Sequence, residues 1–113
     1  MPCFVLHTNV SASRIPEDFC ESLTKLLCEI TGKPTQYIAV HVIPDQLMTF
    51  GGSGEPCALA TLGNIGELRD AKAAHKRIFQ IVKIQLAILP DRMYLTFQNL
   101  APQNVSYNER PFA

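Results

Sequence analysis

Pro2 is the residue in this chain whose type and place could do chemistry unaided. It stands directly behind Met1, at the head of the apolar stretch Cys3-Phe4-Val5-Leu6. Once Met1 is removed, Pro2 presents a free secondary amine. An α-amino group titrates near about 7.7–8.0, and burial in an apolar pocket disfavours its charged form and lowers that value. Such an amine is a neutral base near physiological pH, as proton abstraction requires. A plainer account competes with this one: a strand-leading proline with no chemical part, common on edge strands. Taken alone, the Met-Pro start favours the plainer account.

The other chemically capable residues form no constellation. His7, His41 and His75 have no mutual spacing of a metal site, and the two strand histidines are expected in the core or at a subunit contact. Cys3, Cys20, Cys28 and Cys57 match neither a zinc pattern nor a disulfide framework. Cys20 and Cys28 fall on one face of a predicted helix, where free cysteine behaves as a small hydrophobe. No phosphate loop or nucleophile elbow is present. Formal net charge is zero with no block of like charges, so no nucleic-acid footprint is expected. Lys72, Lys76 and Arg77 read as the solvated face of a helix. No apolar run approaches the ~20 residues of a membrane span. No charged and apolar leader opens the chain, which on its own points to the cytosol.

The elements that must position Pro2 follow from periodicity. The 113 residues suit one domain over 1–113. A first strand is predicted at about Pro2 to Thr8 and a helix from about Pro16 to Thr31. Pro16, Glu17 and Asp18 suit the first helical turn, and Phe19, Leu23, Leu26, Leu27 and Ile30 form its apolar stripe. Gly32 and Pro34 stop it. A strand follows at Tyr37 to Ile43, a short stretch at Leu47 to Phe50 and a loop over Gly51 to Pro56. The second half repeats the plan: a strand at Cys57 to Leu62, a loop over Gly63-Asn64-Ile65-Gly66, a helix from about Asp70 to Ala87 and a strand at Met93 to Gln98. Ala71, Ala74, Ile78, Ile81, Val82 and Leu86 make the second buried face. Asn104 to Tyr107 adds a short terminal strand.

These two pseudo-repeated βαβ units predict an α/β fold, an α+β sandwich whose four-stranded sheet carries two helices on one face, with parallel right-handed crossovers. The strands read as apolar on both sides: Ile38, Val40 and Val42 alternate with Ala39, His41 and Ile43. Sheets of that kind are covered on both faces, and the chain has no third helix. Self-association is therefore expected.

The whole chain resembles the macrophage migration inhibitory factor family of the tautomerase superfamily. The match rests on Met1-Pro2, Thr8-Asn9-Val10, Thr31-Gly32-Lys33-Pro34 and Gln36-Tyr37-Ile38-Ala39-Val40-His41-Val42. It continues through Pro44-Asp45-Gln46-Leu47-Met48, Phe50-Gly51-Gly52-Ser53-Gly54-Glu55-Pro56-Cys57-Ala58-Leu59, Ile65-Gly66, Pro90-Asp91-Arg92-Met93-Tyr94 and Phe112-Ala113. The resemblance implies a homotrimer around a central channel and keto–enol tautomerase activity on phenylpyruvate- and dopachrome-type substrates, with Pro2 as general base and no cofactor or metal. It implies Lys33 as the cation that binds a substrate carboxylate and disfavours protonation of Pro2; at the sequence level Lys33 equally suits a helix C-terminus. It implies a substrate contact from the Ile65 backbone, Tyr94 and Thr96 supplied by the neighbouring subunit, and apolar walls from Tyr37, Val105, Tyr107 and Phe112. Cytokine-like binding to a cell-surface receptor of the invariant-chain type is also implied, with release from cells by a route that uses no signal peptide. The alternative is a signalling ligand with a vestigial or weak tautomerase pocket.

The chain departs from the family in several places. Thr96 stands where many relatives have asparagine, and Tyr107 where tryptophan is frequent. Arg14 is displaced from the usual arginine, which acts with the position of Asp45 in receptor contacts. Cys57-Ala58-Leu59-Ala60 lacks the second thiol of a Cys-x-x-Cys pair, so a thiol–disulfide role does not carry over. The loop before the second helix is shorter than in common relatives.

Overall fold

A computed structural model describes residues 1–113 and arranges them in two layers. One layer is a sheet of β1 (Cys3–Thr8), β2 (Ala39–Ile43), β3 (Ala58–Asn64) and β4 (Met93–Asn99), in the order β2-β1-β3-β4. The other is α1 (Phe19–Thr31) and α2 (Ala71–Leu86), whose buried stripes join one cluster with Phe4, Leu6, Ala60, Leu62 and Met93. β1 pairs with β2 in parallel and β3 with β4 in parallel, and the two halves meet through the antiparallel β1–β3 ladder. The expected mixed α/β architecture, two βαβ units sharing a sheet, is thus present. A hairpin of β5 (Ser106–Tyr107) and β6 (Arg110–Pro111) replaces the single terminal strand expected at Asn104 to Tyr107.

The helix boundaries follow local chemistry. α1 opens at Phe19, later than the expected Pro16, because Pro16 heads a lead-in turn in which Phe19 N–H donates to the Pro16 carbonyl at 3.0 Å. It stops at Gly32, which takes φ 70° and donates to the Cys28 carbonyl at 2.9 Å. Glycine adopts that left-handed cap without a Cβ clash. α2 is capped by Asp70, whose Oδ1 accepts from Ala73 N–H at 3.1 Å. Ala74, Ile78, Val82 and Leu86 are buried on it as expected, whereas Ala71 is exposed in the first turn.

Three strand expectations are corrected. Thr35–Tyr37 forms a 3-10 turn, so β2 begins at Ala39 and not at Tyr37. β3 runs on through Gly63 and Asn64, which were expected in a loop, because both pair with β4 at Gln98 and Asn99. The ladder outweighs the local turn preference of Gly-Asn. The stretch Leu47 to Phe50 forms no strand beyond an isolated bridge from Phe50 to Ser53.

The sheet face away from the helices is open, and it is mixed rather than apolar. Its side chains stand in three rows set by the register: Ala39, Cys3, Gly63, Gln98; His41, Val5, Thr61, Thr96; and Ile43, His7, Leu59, Tyr94. His7 and His41 are exposed there in the single chain, not enclosed in its core.

Candidate active site

Pro2 leads a central strand, so the edge-strand account of that proline does not apply. It is buried, and its carbonyl accepts from Ala39 N–H at 3.0 Å, which ties the head of β1 to the start of β2. The amino terminus of Met1 is held below its ordinary value of 8.0, first by partial burial and second by the charge of Lys33. The surroundings of this end of β1 therefore disfavour a cation.

Lys33 reaches this end because α1 stops at Gly32. Its backbone N–H donates to Thr31 Oγ1 at 3.2 Å, and its ammonium donates to the Ile65 carbonyl at 3.1 Å. No carboxylate pairs with it. Two of its three N–H donors thus remain for another acceptor. Ile65 lies just beyond β3 in a turn held by three bonds: Asn64 Nδ2 to Gly66 O at 3.1 Å, Gly66 N to Asn99 Oδ1 at 3.0 Å, and Leu100 N to Asn64 O at 2.7 Å. Asn99 Nδ2 in turn donates to Glu67 Oε1 at 2.9 Å. The Ile65 N–H has no partner within the chain.

An aromatic wall stands at the same end. Tyr37, in the turn before β2, meets Tyr107 edge-on at 5.2 Å and Phe112 at 5.9 Å, and Tyr107 stacks on Phe112 at 6.2 Å. Val105 joins the hairpin to this wall by accepting from Phe112 N–H at 3.0 Å. A hollow of about 520 Å³ opens between Tyr37 and the hairpin. Such rings suit a flat apolar substrate.

Tyr94 and Thr96 are not brought to Pro2 in the same chain. Tyr94 pairs with Leu59, which pairs with His7 at the far end of β1. From Pro2 to His7 the strand rises roughly 16 Å at about 3.3 Å per residue. Tyr94 is instead 68% exposed and rests on Phe50 at 5.1 Å. Arg92 fixes Phe50: its guanidinium donates to the carbonyls of Pro56, Phe50, Ser53 and Glu55 at 3.0–3.1 Å. Neither Arg92 nor Asn64 stands out in the sequence. For Asn64 a signal existed, since it continues the alternation Ala58, Ala60, Leu62; for Arg92 there was none, because its four acceptors lie on a distant loop.

The comparisons with known proteins bear on the family and the fold. The family model described as macrophage migration inhibitory factor (MIF) matches residues 1–113. The protein named macrophage migration inhibitory factor from Meriones unguiculatus is 45% identical over 115 residues, covering 100% of both chains. The homolog of that name from Trichinella spiralis is 38% identical, covering 99% of this chain and 100% of its own. The solved Trichinella spiralis structure superposes with a TM-score of 0.92 at 36% identity over 96% of this chain and 98% of that one. A homologue from Prochlorococcus marinus shares the fold at a TM-score of 0.89 and 22% identity, over 98% of this chain and 99% of that one. Matched from end to end in sequence and in fold, with a lysine, a turn carbonyl and an aromatic wall gathered at a buried Pro2, this chain belongs to the macrophage migration inhibitory factor family of the tautomerase superfamily.

Proposed function

We propose that the chain, freed of Met1, is a keto–enol tautomerase of small aromatic 2-keto acids of the phenylpyruvate type, acting also on dopachrome-type carboxylates. The observation that carries this reading is the Lys33–Ile65 hydrogen bond beside the buried Pro2. It sets an unpaired ammonium at the mouth of a site whose surroundings favour a neutral amine. The Pro2 lone pair takes a proton from the carbon next to the ketone. The C–H electron pair becomes a C=C bond, and the carbonyl π pair moves to oxygen, which picks up a proton from water. The Pro2 cation then returns its proton to solvent. Lys33 binds the substrate carboxylate through a charge-assisted bond. The Ile65 N–H is a further donor for the substrate's oxygens. Tyr37, Val105, Tyr107 and Phe112 form the walls, and Tyr94 and Thr96 from a second copy close the pocket in a homotrimer.

The test compares Met-retained and Met-free protein, each verified by mass, over a pH series. With Met1 attached, the Pro2 nitrogen is a tertiary amide whose lone pair is delocalised, and the Met1 amine is displaced by a residue step of about 3.8 Å between Cα atoms. Activity is expected only in the Met-free form, rising with pH through the Pro2 titration. Equal rates in both forms would remove Pro2 as the base.

A second reading is a cytokine-like ligand of an invariant-chain-type receptor, released without a signal peptide; the names of the relatives support its cytokine-like part alone, and one local contact bears on the receptor-facing edge. Asp45 Oδ2 accepts from Ala12 N–H at 3.3 Å, in the turn that also carries Arg14. The displaced arginine and Asp45 thus still share one edge of the molecule. Binding of the receptor ectodomain to wild type and to Arg14→Ala tests it.

A further inference from the structure

The helix-facing row of β3 ends on a polar residue that is half satisfied. Ala58, Ala60 and Leu62 are buried on that side, and Asn64, next in the alternation, is 1% exposed. Its Nδ2 donates to the Gly66 carbonyl at 3.1 Å. That bond also fixes the amide's orientation, since an oxygen facing a carbonyl would be repelled. Oδ1 then points elsewhere, shielded from solvent and without a partner. A buried acceptor of this kind normally finds a donor.

The register shows where a donor is missing. Cys3 stands opposite Gly63, so one step further along the ladder sets Pro2 opposite Asn64. Both residues continue the buried, helix-facing alternation of their strands. Directly opposed residues on one face have Cβ atoms about 4.5–5.5 Å apart. Pro2 has no N–H while Met1 is attached. Hydrolysis of the Met1–Pro2 bond by an aminopeptidase adds water's hydroxyl to the Met1 carbonyl and a hydrogen to the Pro2 nitrogen. The neutral amine then has one N–H and one lone pair.

We propose that Asn64 is a positioning residue for the Pro2 base, its Oδ1 accepting the single N–H of the neutral amine and so turning the lone pair toward the substrate carbon. The inference rests on the reading of Pro2 as the base. When the proton arrives, the cation has two N–H groups and keeps one on Asn64. An acceptor favours the cation, whereas Lys33, from the loop after α1, disfavours it, so the two residues act on the amine from opposite sides. The other titratable groups around this end are Cys3, the next residue of β1, Tyr37 from the turn before β2, Tyr107 from the hairpin, Glu67 in the turn after β3, whose Oε1 accepts from Asn99 Nδ2, and Arg69, whose guanidinium lies beside Gly32.

The test uses Met-free protein labelled with ¹⁵N-proline, in wild type, Asn64→Leu and Asn64→Asp. The Pro2 nitrogen is titrated by NMR beside the pH–rate profile. Asn64→Leu is expected to lower the amine pKa and to reduce kcat about tenfold, the scale of one hydrogen bond, with KM nearly unchanged. Asn64→Asp is expected to raise the amine pKa and to move the rising limb of the rate profile upward with it. If Asn64 merely closes the Gly66 turn, Asn64→Leu loses that donor without moving the amine titration, which overturns the proposal; Asn64→Asp moves it through charge in either case. Should the amine titrations move as expected while the rate limb stays in place, the contact exists but Pro2 is not the base, and the positioning role falls with it. Should either variant not fold, the unmutated protein still decides: the Asn64 side-chain amide signals must follow the Pro2 titration, and their indifference to it overturns the proposal.

Discussion

Lys33→Met separates the two parts assigned to the lysine, because it keeps most of the stem and removes the charge. The half-buried ammonium has no carboxylate partner and spends one donor on the Ile65 carbonyl. Two unit charges at about 4 Å attract by about 4 kcal/mol at an effective dielectric near 20. Desolvation of both groups offsets much of this, and hydrogen bonds to charged groups are worth about 1.5–3 kcal/mol net. Carboxylate affinity is thus expected to fall by about tenfold to a hundredfold. A methyl ester of the same substrate keeps the oxygens and loses the charge, so its affinity is expected to fall by about threefold or less. The pH profile supplies a second reading. The charge of Lys33 lowers the pKa of the amino terminus, behind burial as the larger cause. The base works when neutral, so loss of that charge moves the rising limb to higher pH. The assay is a tautomerase rate on acid and ester across pH. Equal losses on both substrates with an unmoved limb would assign Lys33 to the end of α1 alone.

Three further outcomes are expected. Ala87 takes φ 57° at the end of α2, a left-handed conformation that costs a residue with a Cβ about 1–2 kcal/mol, so Ala87→Gly is expected to stabilise the fold by about 1 kcal/mol in urea unfolding. Arg92→Lys is expected to destabilise it by about 2 kcal/mol, since one ammonium cannot serve the four carbonyls that the guanidinium fork reaches; it also frees Phe50 and thereby Tyr94, read as a rise in KM. Light scattering at micromolar concentration is expected to give three times the chain mass, and a stable monomer would defeat the shared-site reading.

The parts of this molecule legible in its sequence are those decided locally. The stripe from Phe19 to Leu27 and the Gly32 stop are set by neighbours along one helix, and the structure contains both. Pro2 was visible because its chemistry depends on its place behind Met1. What sequence spacing hides is set by the sheet. Gly63-Asn64 has the composition of a turn, yet the pairing with Gln98 and Asn99 extends β3 through it. The meeting of Lys33 with Ile65 spans residues far apart in the chain; the resemblance named each for its own contact with substrate, and their hydrogen bond to one another had no mark in the sequence. The Arg92 clamp has no local mark at all.

The open sheet face changes the reason for expecting a second copy. With His7, His41, Thr61, Thr96 and Gln98 among its rows, it is not a dry surface that another sheet must cover. Apolar and aromatic side chains stand at its two ends instead. Leu59 and Tyr94 are 47% and 68% exposed beside Phe50 at one end, and Tyr37, Tyr107 and Phe112 stand at the Pro2 end. These are different patches. A contact that carries Tyr94 of one copy to Pro2 of the next joins two different patches, so it is made either twice across a two-fold axis or head to tail from copy to copy. Heterologous contacts close into rings or run on as filaments. A ring leaves every copy with one Pro2 end served and one Tyr94 end used, and it does not require the polar rows of the open face to be buried against another sheet. The polarity of that face, which contradicts the apolar reading of the strands, thus fits a closed ring better than a sandwich.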